Sequence, residues 1–125
     1  MNNNIRIETL KNISLYSKYK NGFHFVGDSA YIAFQNGNRA KLICRDTEIE
    51  VSIINKMGGA VDHNRFPYAN YFSAKQCSPD SPKWYPYIGR DNRWYFSQMY
   101  KHVHPNSEDY MNLSNGIDEY ISLFE

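Results

Sequence analysis

The segment from Ala30 to Cys44 constrains this chain most, because it reads as two strands joined by a tight turn. Its centre is Asn36-Gly37, and Asn-Gly is the preferred two-residue hairpin turn, since both central residues adopt positive φ. With this turn Gln35 pairs with Asn38, and the two strands run antiparallel. The segment therefore predicts a β-hairpin.

A turn at Asp46-Thr47 would add a third strand in the same register, with Cys44 opposite Ile49. One face of the sheet is then apolar and suited to burial, and consists of Tyr31, Ala33, Ala40, Leu42, Cys44, Ile49, Val51 and Ile53. The outer face mixes charged residues with Ile32, Phe34, Ile43 and Ile54. A homodimer would cover this apolar band, so it is one assembly that we consider.

The other segments complete an α+β prediction. A second Asn-Gly, Asn21-Gly22, indicates an earlier hairpin between Ile13–Tyr16 and Phe23–Val26, so the predicted sheet spans residues 13–54. Residues 55–83 contain Gly and Pro without sustained periodicity and are predicted to be loop-rich. Residues 84–104 indicate an aromatic hairpin. Residues 107–125 are predicted to form an amphipathic helix packed on the sheet, with an apolar stripe of Leu113, Ile117, Tyr120, Ile121 and Phe124.

The length and composition fit one domain. The chain has 125 residues, of which 42% are hydrophobic and 22% charged, enough apolar surface for a core. Cys44 and Cys77 are too few for a disulfide framework. No run approaches the roughly 20 apolar residues that cross a bilayer, and no apolar signal-peptide stretch is found. We therefore expect a cytoplasmic protein, residues 1–125 as a single domain, without a membrane partner.

The charge is divided along the chain. The formal net charge is +1, but residues 1–105 carry all 14 Lys and Arg against 8 acids, a balance of +6, and residues 106–125 carry 5 acids and no base. An acidic segment suits a helix N-terminus and a solvated surface. Alternatively, the acidic segment covers a basic binding surface or is displaced from it. Because the whole molecule is not strongly basic, a polybasic coat for duplex DNA is excluded.

The aromatic hairpin is the main candidate binding surface. Aromatic residues alternate there with cations, which is typical of protein interfaces and of base-stacking surfaces, although such rings are also common core residues. The candidate residues are Trp84, Tyr87, Arg90, Arg93, Trp94 and Tyr95. Arg39, Lys41 and Phe34 on the outer sheet face form a second candidate patch.

Two alternatives involve other chemistry. His102 and His104 stand two apart, so on a strand both would point to one face, and imidazole is a common metal ligand. With His63 and Asn92 they could form a metal-dependent nuclease or phosphodiesterase. A nucleotide-binding protein that sequesters its ligand between aromatic rings is the other alternative. No established metal motif is present, so no metal or other cofactor is predicted.

No catalytic motif emerges elsewhere. Gly58-Gly59 lacks the Lys of a phosphate-binding loop, and Cys77 has no evident helix N-terminus to activate it. The frequent use of residues with A/T-rich codons fits a phage or a mobile element of a low-GC bacterium. We therefore expect a small non-enzymatic inhibitor or adaptor that binds a larger host protein or nucleoprotein complex, with nucleotide or nucleic acid as further potential partners.

Overall fold

A computed structural model describes residues 4–72, 86–96, 101–102 and 104–125 of the chain. Strands β1 to β5 form an antiparallel sheet in chain order, and β6 to β8 form a second, three-stranded sheet. The elements are α1 (Ile5–Leu15), β1 (Phe23–Val26), β2 (Ser29–Ala33), β3 (Arg39–Cys44), β4 (Glu48–Ile54), β5 (Ala60–Pro67), β6 (Pro86–Ile88), β7 (Trp94–Phe96), β8 (Lys101–His102) and α2 (Ser107–Ile121). The predicted α+β class, with a C-terminal helix on an antiparallel sheet, is confirmed.

The first predicted hairpin is wrong, because residues 13–15 end helix α1. The Asn4 side chain caps this helix by accepting hydrogen bonds from the backbone N–H groups of Arg6 (3.0 Å) and Ile7 (3.4 Å). The buried face includes the polar Thr9 and Ser14, so its helical periodicity is weak in the sequence. Asn21-Gly22 lies in a short 3-10 turn, and the sheet begins at Phe23.

The hairpin of β2 and β3 is correct, but its predicted register is wrong by one residue. Ala33 pairs with Arg39, and Phe34 lies opposite Asn38, so that the three residues 35–37 form the loop, with Gly37 at a φ of 94°. The Phe34 N–H donates to the Asn38 carbonyl across 2.8 Å. A slip of one residue reverses the two faces of a strand, so Ile32 points inward and Tyr31 outward.

The pairing of β3 with β4 is confirmed, with Cys44 opposite Ile49. The segment predicted to be loop-rich contains an additional strand, β5, which pairs antiparallel with β4. Six of its eight positions are exposed, so this strand lacks the alternation of apolar and polar residues by which a sequence indicates a half-buried strand. In the strand order of the sheet, β5 forms one edge and β1 the other.

One core cluster lies between the sheet and the two helices. Every inner-face residue of β2, β3 and β4 is at most 3% exposed, namely Ala30, Ile32, Ala40, Leu42, Cys44, Ile49, Val51 and Ile53. The helices contribute buried Leu10 and Ile13 from α1, and Leu113, Ile117 and Ile121 from α2. This confirms the predicted stripe on the C-terminal helix at those three positions.

Helix α2 begins with a capping box. The Asn106 side chain accepts a hydrogen bond from the Asp109 N–H (2.8 Å), and the Asp109 carboxylate accepts one from the Asn106 N–H (3.0 Å). The helix ends at Ile121, and Ser122–Phe124 continue as a 3-10 turn. Within the described residues, no helix is long and apolar enough to cross a bilayer.

Candidate functional site

The aromatic hairpin divides its side chains between the core and the surface. Ile88 and Trp94 pair across β6 and β7, and both are buried, at 1% and 2% exposure. The Trp94 ring contacts Tyr68 edge-on at 4.9 Å and Phe72 at 5.5 Å, measured between ring centroids. Trp94 is therefore a core anchor, and its ring is not part of the exposed surface of the hairpin.

The opposite side of the hairpin presents two tyrosines. Tyr87 and Tyr95 pair across the strands and stack, with ring centroids 5.6 Å apart and planes 21° apart. Both are only half-buried. The Tyr95 hydroxyl donates a hydrogen bond to Asp91, which lowers the pKa of Asp91 and raises that of Tyr95. The stack is thereby tied to the turn that follows β6.

That turn presents two exposed arginines, Arg90 and Arg93. Its backbone is closed by hydrogen bonds from the Gly89 N–H to the Arg93 carbonyl (2.8 Å) and from the Asn92 N–H to the Gly89 carbonyl (3.0 Å). Gly89 is required there, because a Cβ would come within 2.7 Å of the Tyr95 ring. We call Tyr87, Arg90, Arg93 and Tyr95 the hairpin surface. Trp84, the remaining predicted hairpin residue, lies outside the described residues.

The hairpin is attached to the turn between β3 and β4. The Ile88 N–H donates to the Asp46 carbonyl across 2.8 Å, and the Tyr68 N–H donates to the Thr47 carbonyl across 3.1 Å. Arg6 of α1 forms an ion pair with the Asp46 side chain and donates to the Cys44 carbonyl at 3.1 Å. The aromatic hairpin is therefore bound to the turn between β3 and β4, which the main sheet and α1 hold in place.

The second predicted patch is divided by the shift in register. Arg39 and Lys41 lie on the outer sheet face, but Phe34 lies on the inner side and packs edge-on against Tyr19 at 5.5 Å. Phe34 is therefore no part of an outer patch. With Ile32 also buried, the predicted apolar band keeps only Ile43 and Ile54, both half-buried, which removes much of the argument for a homodimer.

The charges of the outer sheet face are paired at one end. Arg45 contacts Glu50 at 3.2 Å, His63 contacts the same carboxylate at 3.3 Å, and Arg65 contacts Glu48 at 3.4 Å. Arg45, followed by His63, lowers the pKa of Glu50. Arg39 and Lys41, nearer the other end, have no carboxylate partner among the described residues.

The residues of the nuclease alternative occupy different elements. His63 lies on β5 beside Glu50, Asn92 lies in the hairpin turn with a φ of 62°, and His104 is exposed before α2. The side chain of His102 lies outside the described part. Within that part, no group of three His, Cys, Asp or Glu side chains could hold a metal ion. The nuclease alternative stays an untested prediction.

The acidic helix does not cover the basic outer face. Helix α2 packs on the inner side, against α1 and β5. Asp109 and Asp118 are 5% and 6% exposed. The Asp109 carboxylate accepts a hydrogen bond from the Asn106 N–H at the start of its own helix, and the Asp118 carboxylate accepts hydrogen bonds from Ser17 and Lys18. Two acidic residues of the C-terminal segment therefore stabilise the fold. The face that bears Arg39 and Lys41 is not covered by α2.

One cleft was not indicated by the sequence. It has a volume of about 640 Å³ and lies at the end of the sheet, between Arg6, Asp28, Arg45 and Arg65. Its arginines contact Asp46, Glu50 and Glu48, so no positive charge is left without a partner. Beneath it the Cys44 thiol is buried against the Tyr68 hydroxyl at 3.0 Å. Burial raises the pKa of Cys44 to about 11, so this thiol is not an activated nucleophile.

Comparison of the chain with protein-family models, curated proteins and solved structures finds no match. The function is therefore inferred from the geometry of the hairpin surface and the outer sheet face.

Proposed function

We propose that this protein is a non-enzymatic binding protein, an inhibitor or adaptor of the phage or mobile-element type, that attaches to a larger host protein or nucleoprotein complex through the hairpin surface. The observation that carries the proposal is the half-exposed stack of Tyr87 on Tyr95, 5.6 Å between centroids, beside the exposed Arg90. Tyrosine and arginine are the residue types that contribute most binding energy at protein interfaces, together with tryptophan.

Rigidity supports this role. Binding immobilises side chains, at a cost of about 0.5 to 1.5 kcal/mol for each flexible side chain that becomes ordered. Here the two rings hold each other, the Tyr95 hydroxyl is bound to Asp91, and Trp94 anchors the strand in the core. Much of the ordering is therefore present before the partner arrives.

The same stack disfavours nucleotide sequestration at this place. A base that inserted between Tyr87 and Tyr95 would have to separate rings that already contact each other. Their outer ring faces and edges, together with the arginines of the turn, suit a flat protein surface with acidic residues, because a guanidinium pairs with carboxylates through two parallel hydrogen bonds.

The test is affinity purification of the tagged protein from cells of its source, comparing the wild type with Arg90→Glu plus Arg93→Glu. We expect one predominant partner protein that the double variant loses. Lys11→Glu plus Lys18→Glu is the matched control, because it makes the same charge change at exposed positions on and just after α1. The control should keep the partner.

A photoreactive amino acid at position 90 provides a second measurement. It should crosslink to the same partner, whereas one at Glu119, exposed on α2, should not. Retention of every partner by the Arg90 and Arg93 double variant would remove the hairpin surface as the interface. A flat thermal-shift response to mono-, di- and cyclic nucleotides is expected, and a marked stabilisation by one of them would favour the nucleotide alternative.

A further inference from the structure

The outer face of the five-stranded sheet is a separate feature from the hairpin surface. The register places His24, Tyr31, Lys41, Ser52 and His63 opposite one another in one row across all five strands. The inner positions of β2 to β4 are buried, whereas every position of this row is half-buried or exposed. Since neighbouring strands lie about 4.8 Å apart, the row is about 19 Å long.

The charge along this face is uneven. Its two carboxylates, Glu48 and Glu50, contact Arg65 and Arg45 at 3.4 and 3.2 Å. Arg39 and Lys41 are left without a carboxylate among the described residues. One end of the face is therefore neutralised by its own ion pairs, and the end with Arg39 and Lys41 is positive.

An aromatic ring lies within this positive region. Tyr31 is half-buried and stands between His24 and Lys41 in the row, and the Lys41 ammonium lies over its ring, 5.9 Å from the centroid. A base that stacks on this ring face would displace the flexible Lys41 side chain towards the phosphate, which the ammonium can then neutralise. A stacking ring beside cations on an open sheet is the arrangement with which proteins bind single-stranded nucleic acid, because every base offers a flat face and every linkage a negative charge.

We infer that the region around Tyr31, Arg39 and Lys41 binds single-stranded nucleic acid, with a base stacked on Tyr31 and phosphates on the two cations. The occupant follows from the juxtaposition of ring and cations. An acidic protein would need the cations but not the ring. Duplex would present its phosphates with its bases already stacked on each other. The inference does not depend on the hairpin surface, which lies on the second sheet, so each proposal can fail alone.

The experiment is fluorescence anisotropy with a labelled single-stranded oligonucleotide of about 12 thymidines or uridines. We expect wild-type binding at about 50 mM salt that weakens as the salt concentration rises. Tyr31→Ala should weaken binding by about tenfold, the lower part of the range for one stacked base. Tyr31→Phe keeps the ring and should bind as the wild type does, which separates stacking from a loss of fold.

The cations are tested by Arg39→Ala plus Lys41→Ala. Loss of two phosphate contacts should reduce the slope of log K against log salt concentration by about 1.4. Lys11→Ala plus Lys18→Ala removes the same charge away from this face and should leave the slope unchanged. Variants of Tyr87 and Tyr95 should keep oligonucleotide binding.

Several results would overturn the inference. These are no binding at low salt, equal weakening by the Lys11 and Lys18 control, and wild-type affinity of Tyr31→Ala. Polyglutamate that displaces the oligonucleotide at equal charge concentration would also overturn it, because it would show a surface for acidic protein. Urea denaturation of each variant verifies that it is folded.

Discussion

The Asp118 carboxylate of α2 accepts a hydrogen bond of 2.7 Å from the hydroxyl of Ser17, 101 residues away in the chain. Its second oxygen accepts a 2.8 Å bond from the backbone N–H of Lys18. Both Asp118 and Ser17 are 6% exposed. The pair joins the end of α1 to α2, and one acidic residue of the C-terminal segment is thereby committed to the fold.

Asp118→Ala should lower the free energy of unfolding by about 2 to 3 kcal/mol, because it leaves a buried hydroxyl and a backbone N–H without their charged acceptor. Urea denaturation measures this loss. The neighbouring Glu119→Ala removes the same charge from an exposed position and should change stability by no more than about 0.5 kcal/mol. Equal losses in both variants would show that helix charge, rather than the contact with Ser17, is responsible.

Gly116 allows Tyr71 to lie against α2. A Cβ at this position would stand 2.6 Å from a carbon of the Tyr71 ring. Gly116→Ala should therefore lower the free energy of unfolding by about 1 to 3 kcal/mol through overpacking, although alanine alone would favour the helix by about 1 kcal/mol. Gly22→Ala, which meets no atom within 4 Å, is the control. Tyr71→Ala should remove the penalty at Gly116 in a double-mutant cycle, and an additive result would refute the steric explanation.

Truncation of two adjacent residues of β7 should lower the free energy of unfolding by very different amounts. Trp94→Ala should lower the free energy of unfolding by about 3 to 5 kcal/mol, since it leaves a cavity beside Tyr68 and Phe72. Tyr95→Ala should lower it by only about 1 kcal/mol, the worth of its stack on Tyr87, yet abolish partner binding. Thermal unfolding together with the purification described above provides both measurements. Comparable stability losses would mean that Tyr95 is a core residue too.

Cys44 should be unreactive in the folded protein. In a Cys77→Ser background, a thiol reagent at pH 8 should modify the protein only after urea is added. Burial raises the pKa of this thiol from 9.0 to about 11. The unfolded chain therefore ionises this thiol at a lower pH than the folded protein does. The folded state is not affected below about pH 9, and its free energy of unfolding falls by about 3 kcal/mol as the pH rises towards 11. Cys44→Ala should show a shallower loss of stability over that pH range. Rapid labelling at pH 8 without urea would contradict the buried site.

The sequence predicted most of the sheet and the presence of the aromatic hairpin. The alternation through β3 and β4 led to the correct pairing of Cys44 with Ile49, and the hairpin predicted for residues 84–104 contains the paired strands β6 and β7. It could not divide the hairpin residues between core and surface. Trp94 and Tyr95 are both large aromatic residues, and only the position of Tyr68 and Phe72 shows which of them is buried.

The wrong register of β2 and β3 arises at the loop between them. The loop between β2 and β3 has three residues rather than two, and the side-chain amides of Asn36 and Asn38 both donate to the Phe124 carbonyl at 3.0 Å. These contacts join residues 88 and 86 positions apart. The Asn-Gly turn signal is local and contains no information about these contacts. The register of the two strands nevertheless determines that Tyr31, rather than Ile32, faces outward.

The amino-acid sequence alone determined the features that depend on neighbours along the chain: the β3–β4 register, the turn of the aromatic hairpin and the apolar stripe of α2. The tertiary structure decided that residues 13–15 are helical, that β5 completes the sheet, and that Tyr31 lies beside Arg39 and Lys41 on the open face. The physical reason is that burial and pairing with distant segments outweigh local preferences of about 1 kcal/mol or less per residue.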